Sequence, residues 1–175
     1  MAKTAVEAAL NQCALFRGMT PAERQELYGL LETLTYSAHD RILTEGESFQ
    51  FLWVLVEGRC RVFKTTKNHE EKELGFIEPF GVFGEMSFFQ PGPHSASVQA
   101  LAPVVLVRLS RLQYDLLLRV GSLAAYKLAY NTMGVLIERL RKMDDKVAEV
   151  LATTSPGHRE EWLDFQSKLY SGWQF

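Results

Sequence analysis

The sequence predicts an α+β chain in which helices flank a small sandwich or barrel of seven or eight short strands. Three observations predict it. A helix-start signature stands near the N-terminus, at Thr20-Pro21-Ala22-Glu23. From Thr35 to Leu109, short β-prone runs alternate with turn signals. From Ser110 onward the apolar residues return to helical spacing. At 175 residues the chain is long enough for one core with appendages. It divides by pattern into 1–34 (helical), 35–109 (strands around a central loop), 110–151 (helices) and 152–175 (an aromatic tail helix).

The N-terminal part suits a short helix over Thr4 to Cys13, with Val6, Ala9, Leu10 and Cys13 on one face. Arg17-Gly18 breaks it. Thr20 then caps a second helix, with Pro21 at its first position and Glu23 at its third. Leu27, Leu30, Leu31 and Leu34 continue its apolar face, which predicts a helix reaching Leu34.

The strand-like runs are TYSA, RILTEGE, FLWVLVEG, RCRVFKTT, KELGFIEP, SASVQAL and VVLVRL. Residues 53–57 do not alternate polar and apolar, so that strand should be covered on both faces. Glu57-Gly58 and Lys67-Asn68 have the composition of hairpin turns.

Between these runs lies PFGVFGEMSFFQPGPHSASV, Pro79 to Val98. Its glycines and prolines break regular structure, and its four phenylalanines anchor the loop in a core. Gly84-Glu85-Met86-Ser87 suits one short helical turn, whose backbone N–H groups would favour an anion. A tight connection between two sheets explains the glycines equally well.

Ser110 opens another capped helix, with Gln113 three residues on and Leu112, Leu116 and Leu117 on its face. From Ser122 to about Leu151 runs a long amphipathic segment. Leu123, Tyr126, Tyr130, Met133, Ile137, Leu140, Val147 and Leu151 recur near a 3.5-residue spacing. Such a stripe either packs on its own domain or pairs with its twin. Its length favours pairing, so a homodimer through 122–151 is expected. The tail begins at Ser155-Pro156 and carries Trp162, Phe165, Leu169, Tyr170 and Trp173. It either folds back on the body or docks a protein effector.

The formal charge of −2 gives no bulk attraction to nucleic acid or to acidic membranes. No apolar run approaches a membrane span and the first residues lack an unbroken apolar stretch, so a cytoplasmic location is expected. Cys13 and Cys60 read as buried, reduced thiols. His39, His69, His94 and His158 are too scattered to suggest a metal cluster. There is no nucleophile elbow, phosphate-binding Walker loop or His-Glu-x-x-His, so no enzyme is expected.

A helix, a roll with a Gly-Glu turn between its later strands, then a short helix and a long one resembles the cyclic-nucleotide-binding domain. The resemblance covers roughly Leu15 to Lys146. It is carried by Ile42-x-x-x-Gly46-Glu47, by Val54-Leu55-Val56-Glu57-Gly58, and by Phe83-Gly84-Glu85-Met86-Ser87 leading to Pro93-His94-Ser95-Ala96-Ser97-Val98. It implies an eight-stranded, jelly-roll-like β-roll and a long dimerisation helix. No permanently bound cofactor is implied; the ligand would be cyclic AMP or cyclic GMP. Gly84 would let the backbone approach that ligand, and Glu85 would accept from the ribose 2′-hydroxyl. Backbone N–H groups near Met86, Ser87 and Ser95 would meet the phosphate, with Ala96 beside them and the Ser95 hydroxyl reaching phosphate or base. Tyr126 or Tyr130 would cover the base.

Two positions depart from the family pattern. His94 stands where the family has its phosphate-binding arginine, and Asp40 where it usually has a turn glycine. Arginine is permanently charged and meets phosphate with a planar fork, whereas histidine is mostly neutral near pH 7. Its loss should cost about 1.5–3 kcal/mol of binding, so nucleotide affinity is expected to be weak, pH-dependent or absent. The winged helix-turn-helix of related transcription factors would need several tens of residues after the long helix, and only the aromatic tail follows Val150. DNA binding by that route is not expected. Two readings remain. One is a regulatory sensor signalling through its C-terminal helices. The other is a degenerate fold that has lost nucleotide and serves as a dimeric protein-interaction module.

Overall fold

The computed structural model describes residues 3–153, so the tail helix expected from Ser155 lies outside the described residues. The chain divides into two units, residues 1–135 and 136–175. Helix α1 (Lys3–Leu10) is followed by a 3-10 turn at Ala14–Phe16 and by α2 (Pro21–Tyr28). The Thr20 hydroxyl accepts from the Glu23 N–H while the Glu23 carboxylate accepts from the Thr20 N–H. This reciprocal cap is worth about 1 kcal/mol. Contrary to the apolar spacing, α2 ends at Tyr28 and not at Leu34. Leu30 and Leu31 pack against the core from outside the helix, while Leu34 lies in β1 (Glu32–Tyr36), paired with β8 (Val104–Ser110).

Among the described residues eight strands form two antiparallel four-stranded sheets, not a closed barrel. One sheet has the order β1-β8-β3-β6, with β3 at Phe51–Glu57 and β6 at Val82–Phe83. The other has the order β2-β7-β4-β5, from Arg41–Leu43, Ser97–Ala100, Cys60–Thr65 and Glu71–Ile77. Lys67-Asn68 joins the paired strands β4 and β5, as its composition predicts. Glu57-Gly58 does not make a hairpin: β3 and β4 lie in different sheets, and Gly58 carries the chain across. Its φ is +90°, and a Cβ there would lie 2.6 Å from the Pro103 carbonyl oxygen. The turn before β2 is held by Asp40, whose carboxylate accepts from the Ser37 N–H at 2.7 Å. The left-handed residue falls on His39 (φ +71°), so an aspartate serves where a glycine was expected.

Strand β3 is buried on both faces, as its lack of alternation predicts. Leu52, Val54 and Val56 join a core with Leu10, Phe16, Leu27, Phe88, Tyr114 and Leu128, beneath the helices. Trp53 and Leu55 face the other way, with Leu43, Cys60, Phe83, Val98 and Leu106 between the sheets. One strand therefore organises both cores, each buried apolar side chain contributing about 1.5–3 kcal/mol. Burial raises both thiols, Cys13 and Cys60, to pKa values of about 11, so they are protonated at neutral pH.

Helix α3 (Glu85–Phe89) follows β6, and α4 (Arg111–Arg119) is capped by Ser110 and Gln113 as its sequence predicts. Helix α5 spans Leu123–Thr153. In the first unit, Lys127 of α5 bonds Glu23 and the Gly18 carbonyl, and Asn131 one turn on donates to the carbonyls of Leu15 and Arg17. These bonds fix the start of α5 to the N-terminal helices. Leu123, Tyr126, Tyr130 and Met133 remain exposed. In the second unit Ile137, Leu140, Met143 and Val150 are exposed. Among the described residues no helix is long and apolar enough to cross a membrane.

Candidate functional site

The cassette is built outward from Gly84. Its φ of +75° is left-handed, and a Cβ would lie 2.6 Å from the Phe51 carbonyl oxygen and 2.9 Å from Trp53 Cδ1. Only glycine satisfies both the torsion and the approach. The chain turns there into α3, placing Glu85 and Ser87 inward, 6% and 3% exposed, and Met86 outward. Phe88 and Phe89 pack edge-on against each other and on Tyr114, which anchors α3 in the helix-side core.

After α3 the chain loops through Pro91-Gly92-Pro93 and brings His94 back beside Ser87. His94 Nδ1 lies 3.0 Å from Ser87 Oγ. The loop is fixed by backbone bonds, His94 N–H to the Glu47 carbonyl at 2.8 Å and Gly46 N–H to the His94 carbonyl at 3.0 Å. Gly46-Glu47 and His94 thus close one ring of backbone around the cassette. The His94 side chain is buried, and its Nε2 has no hydrogen-bond partner among the described residues. Burial holds its pKa below the usual histidine value, against a smaller opposing pull from Glu47. The ring is therefore neutral at pH 7.

Ser87 Oγ also lies 3.3 Å from the Phe49 carbonyl oxygen and 3.2 Å from that of Gly84. Ser95 is exposed, and its hydroxyl meets Met86 Sδ at 3.7 Å. Ala96 is half-buried. Gly84, Glu85, Met86, Ser87, His94, Ser95 and Ala96 thus occupy one loop and its helix. Tyr126 and Tyr130 stand exposed on α5.

Two participants, Phe49 and Trp53, were not singled out by sequence reasoning. Phe49 contributes a carbonyl oxygen, which leaves no side-chain signal; Glu47 does the same, within the Gly46-Glu47 pair that the sequence marks. Trp53 stacks on Phe83 with ring centroids 5.9 Å apart and walls Gly84. Its indole N–H is buried with no acceptor among the described residues. A buried donor left in this way costs about 1–3 kcal/mol. The only sequence cue to Trp53 was a tryptophan in a strand that fails to alternate.

The cassette thus combines a left-handed glycine, a buried Glu85 and two buried nitrogens, of His94 and Trp53, that have no partner among the described residues. Residues 33–142 match the cyclic nucleotide-binding domain family, and the chain belongs to that family. It is similar to the cyclic AMP receptor protein of Thermus thermophilus, 32% identical over 130 residues, 74% of this chain and 58% of that protein. It is also similar to the CRP-like cAMP-activated global transcriptional regulator of Mycobacterium tuberculosis, 26% identical over 148 residues, 85% of this chain and 64% of that protein. The chain therefore spans about six-tenths of the length of these curated relatives. A cyclic nucleotide-binding domain from Methylobacillus flagellatus shares the fold, with a TM-score of 0.75, 24% identity and 85% of each chain covered.

Proposed function

We propose that this chain is a non-enzymatic regulatory module that senses a cyclic nucleotide, cyclic AMP or cyclic GMP, with weak affinity. The observation that carries the reading is the cassette itself: Gly84 in the left-handed conformation, Glu85 buried behind it, and His94 folded back to the same place. Glu85 would receive the ribose hydroxyl, and the backbone about Met86, Ser87 and Ser95 would face the phosphate. His94 takes the position of the family arginine without its permanent charge, which is why the affinity is weak. Similarity to two relatives named for cyclic AMP favours that nucleotide.

Signalling would leave the cassette through the helices. The exposed apolar residues of the long helix support a homodimer through 122–151, and the aromatic tail would engage a protein effector in the cytoplasm. Tyr126 or Tyr130 would cover the base on ligand binding. The second reading, a degenerate fold retained as a protein-interaction module, is favoured by the neutral, buried His94. Calorimetric titration with cyclic AMP and cyclic GMP decides between them. Saturable binding is expected at micromolar to millimolar ligand, on the order of the loss expected from the missing arginine. No heat and no thermal shift at millimolar ligand would support the second reading.

A further inference from the structure

The hydroxyl of Ser87 has one proton and three close neighbours, the carbonyl oxygens of Gly84 and Phe49 and the Nδ1 of His94. The two carbonyls can only accept. If Ser87 gives its proton to Nδ1, both carbonyls face bare lone pairs and the His94 Nε2–H is buried without an acceptor. If Ser87 gives it to a carbonyl, Nδ1–H donates to Oγ and every polar hydrogen in the cluster is used. The second arrangement leaves one carbonyl facing an Oγ lone pair and a lone pair at Nε2 without a partner, but no orphaned N–H. Orphaned buried donors are the costlier error.

We propose that Ser87 locks neutral His94 in its Nδ1–H tautomer, so that the cassette binds a phosphodiester only by taking up one proton at Nε2. This deepens the sensing reading and rests on it. A lone pair at Nε2 repels a phosphate oxygen that carries no proton, whereas Nε2–H⁺ attracts it. Ser87 is thereby a positioning residue that sets which charge of ligand the site accepts. The groups against His94 are few. Glu47, whose carbonyl bonds the His94 N–H, is the carboxylate whose field acts on the ring. Phe49 lies alongside, with ring centroids 6.5 Å apart, and Glu85 is buried on the same helix as Ser87. Glu47 and Glu85 cannot donate when ionised, so neither substitutes for the missing proton.

The test begins without ligand. Nitrogen-15 spectra of the full chain at pH 8 should show His94 Nδ1 as the protonated nitrogen and Nε2 as the bare one. In the Ser87→Ala variant the tautomer preference should relax toward Nε2–H. Calorimetry with cyclic AMP then compares the two proteins across pH 6 to 8. The parent should lose about tenfold in affinity per pH unit above the pKa of His94, the slope for uptake of one proton. Ser87→Ala should lose much less, and should bind more tightly than the parent at pH 8, because a neutral Nε2–H can donate. An Nε2–H spectrum for the parent overturns the proposal, as does an equal pH slope for the two proteins. Binding by neither protein would remove the sensing reading, and the spectra would still decide the tautomer.

Discussion

Arg111 Nη1 lies 2.8 Å from the carbonyl oxygen of Phe88, and the same nitrogen is 3.0 Å from that of Phe89. A guanidinium at the first residue of α4 therefore closes the last turn of the cassette helix α3, whose terminal carbonyls have no partner within so short a helix. Asp115 one turn along α4 holds the guanidinium in place at 2.7 Å. This contact ties the cassette to the C-terminal helices. Arg111→Ala should destabilise the chain by about 1–3 kcal/mol, the range for a charged hydrogen bond to a buried group. Amide exchange should quicken in α3 more than in β3. Arg111→Lys should recover only part of the loss, because an ammonium lacks the planar fork.

Gly84→Ala is expected to be worse than a generic glycine replacement. The left-handed torsion alone costs about 1–2 kcal/mol. The clash with the Phe51 carbonyl oxygen adds to it, because a backbone atom in a paired strand cannot swing aside. Urea unfolding should show a lower midpoint with an unchanged slope. Gly92→Ala, where the nearest atom is 3.9 Å away, should be close to neutral.

His94→Arg should strengthen cyclic AMP binding by roughly one to two orders of magnitude, the worth of a charged hydrogen bond to phosphate. Its affinity should also be flat between pH 6 and 8, since arginine does not titrate there. Calorimetry at the two pH values measures both. A variant that binds no more tightly than the parent would remove His94 from the account of weak affinity.

His94 also links pH to stability. Its folded pKa lies below the unfolded value of about 6.5, so the unfolded chain takes up the proton first on acidification. The stability it contributes is present above about pH 6.5 and is lost as pH falls through the lowered folded pKa. The melting temperature of the parent should thus drop more between pH 7 and pH 5 than that of His94→Gln.

The proposed dimer makes its own prediction. Ile137 and Leu140 are 44% and 54% exposed and lie one turn apart or nearly so on α5. Replacing both by glutamate should convert a dimer to a monomer in sedimentation. Nitrogen-15 spectra of the strands should remain unchanged.

Much of this was legible in the sequence, and the exceptions have physical reasons. Capping boxes at Thr20 and Ser110 are short-range and came through intact. So did the Gly84 turn, because few residues satisfy its torsion and crowding. Helix α2 was read too long because Leu30, Leu31 and Leu34 keep a helical spacing, whereas pairing of 32–36 with a strand some seventy residues away decides the outcome. Glu57-Gly58 signalled a reversal correctly, but composition does not say whether the next strand pairs or changes sheet. The Ser87–His94 contact was invisible for a similar reason. It depends on where the Pro91-Gly92-Pro93 loop returns, which is set by backbone bonds between His94 and the Gly46-Glu47 turn, and nothing in the sequence says that these two segments meet.

Of the four sheet edges, β1, β6, β2 and β5, three carry features that discourage the addition of another chain. Strands β2 and β6 have three and two residues, β2 carries a register shift, and β5 opens with Glu71-Lys72-Glu73. Short, irregular or charged borders resist strand-to-strand addition. Exposed apolar side chains stand on α4 and α5, where the backbone is already internally bonded, and also on β5, at Leu74 and Phe76. Self-association through the faces of α4 and α5 is therefore a matter of side-chain contacts and not of the cross-β stacking through which sheet proteins aggregate.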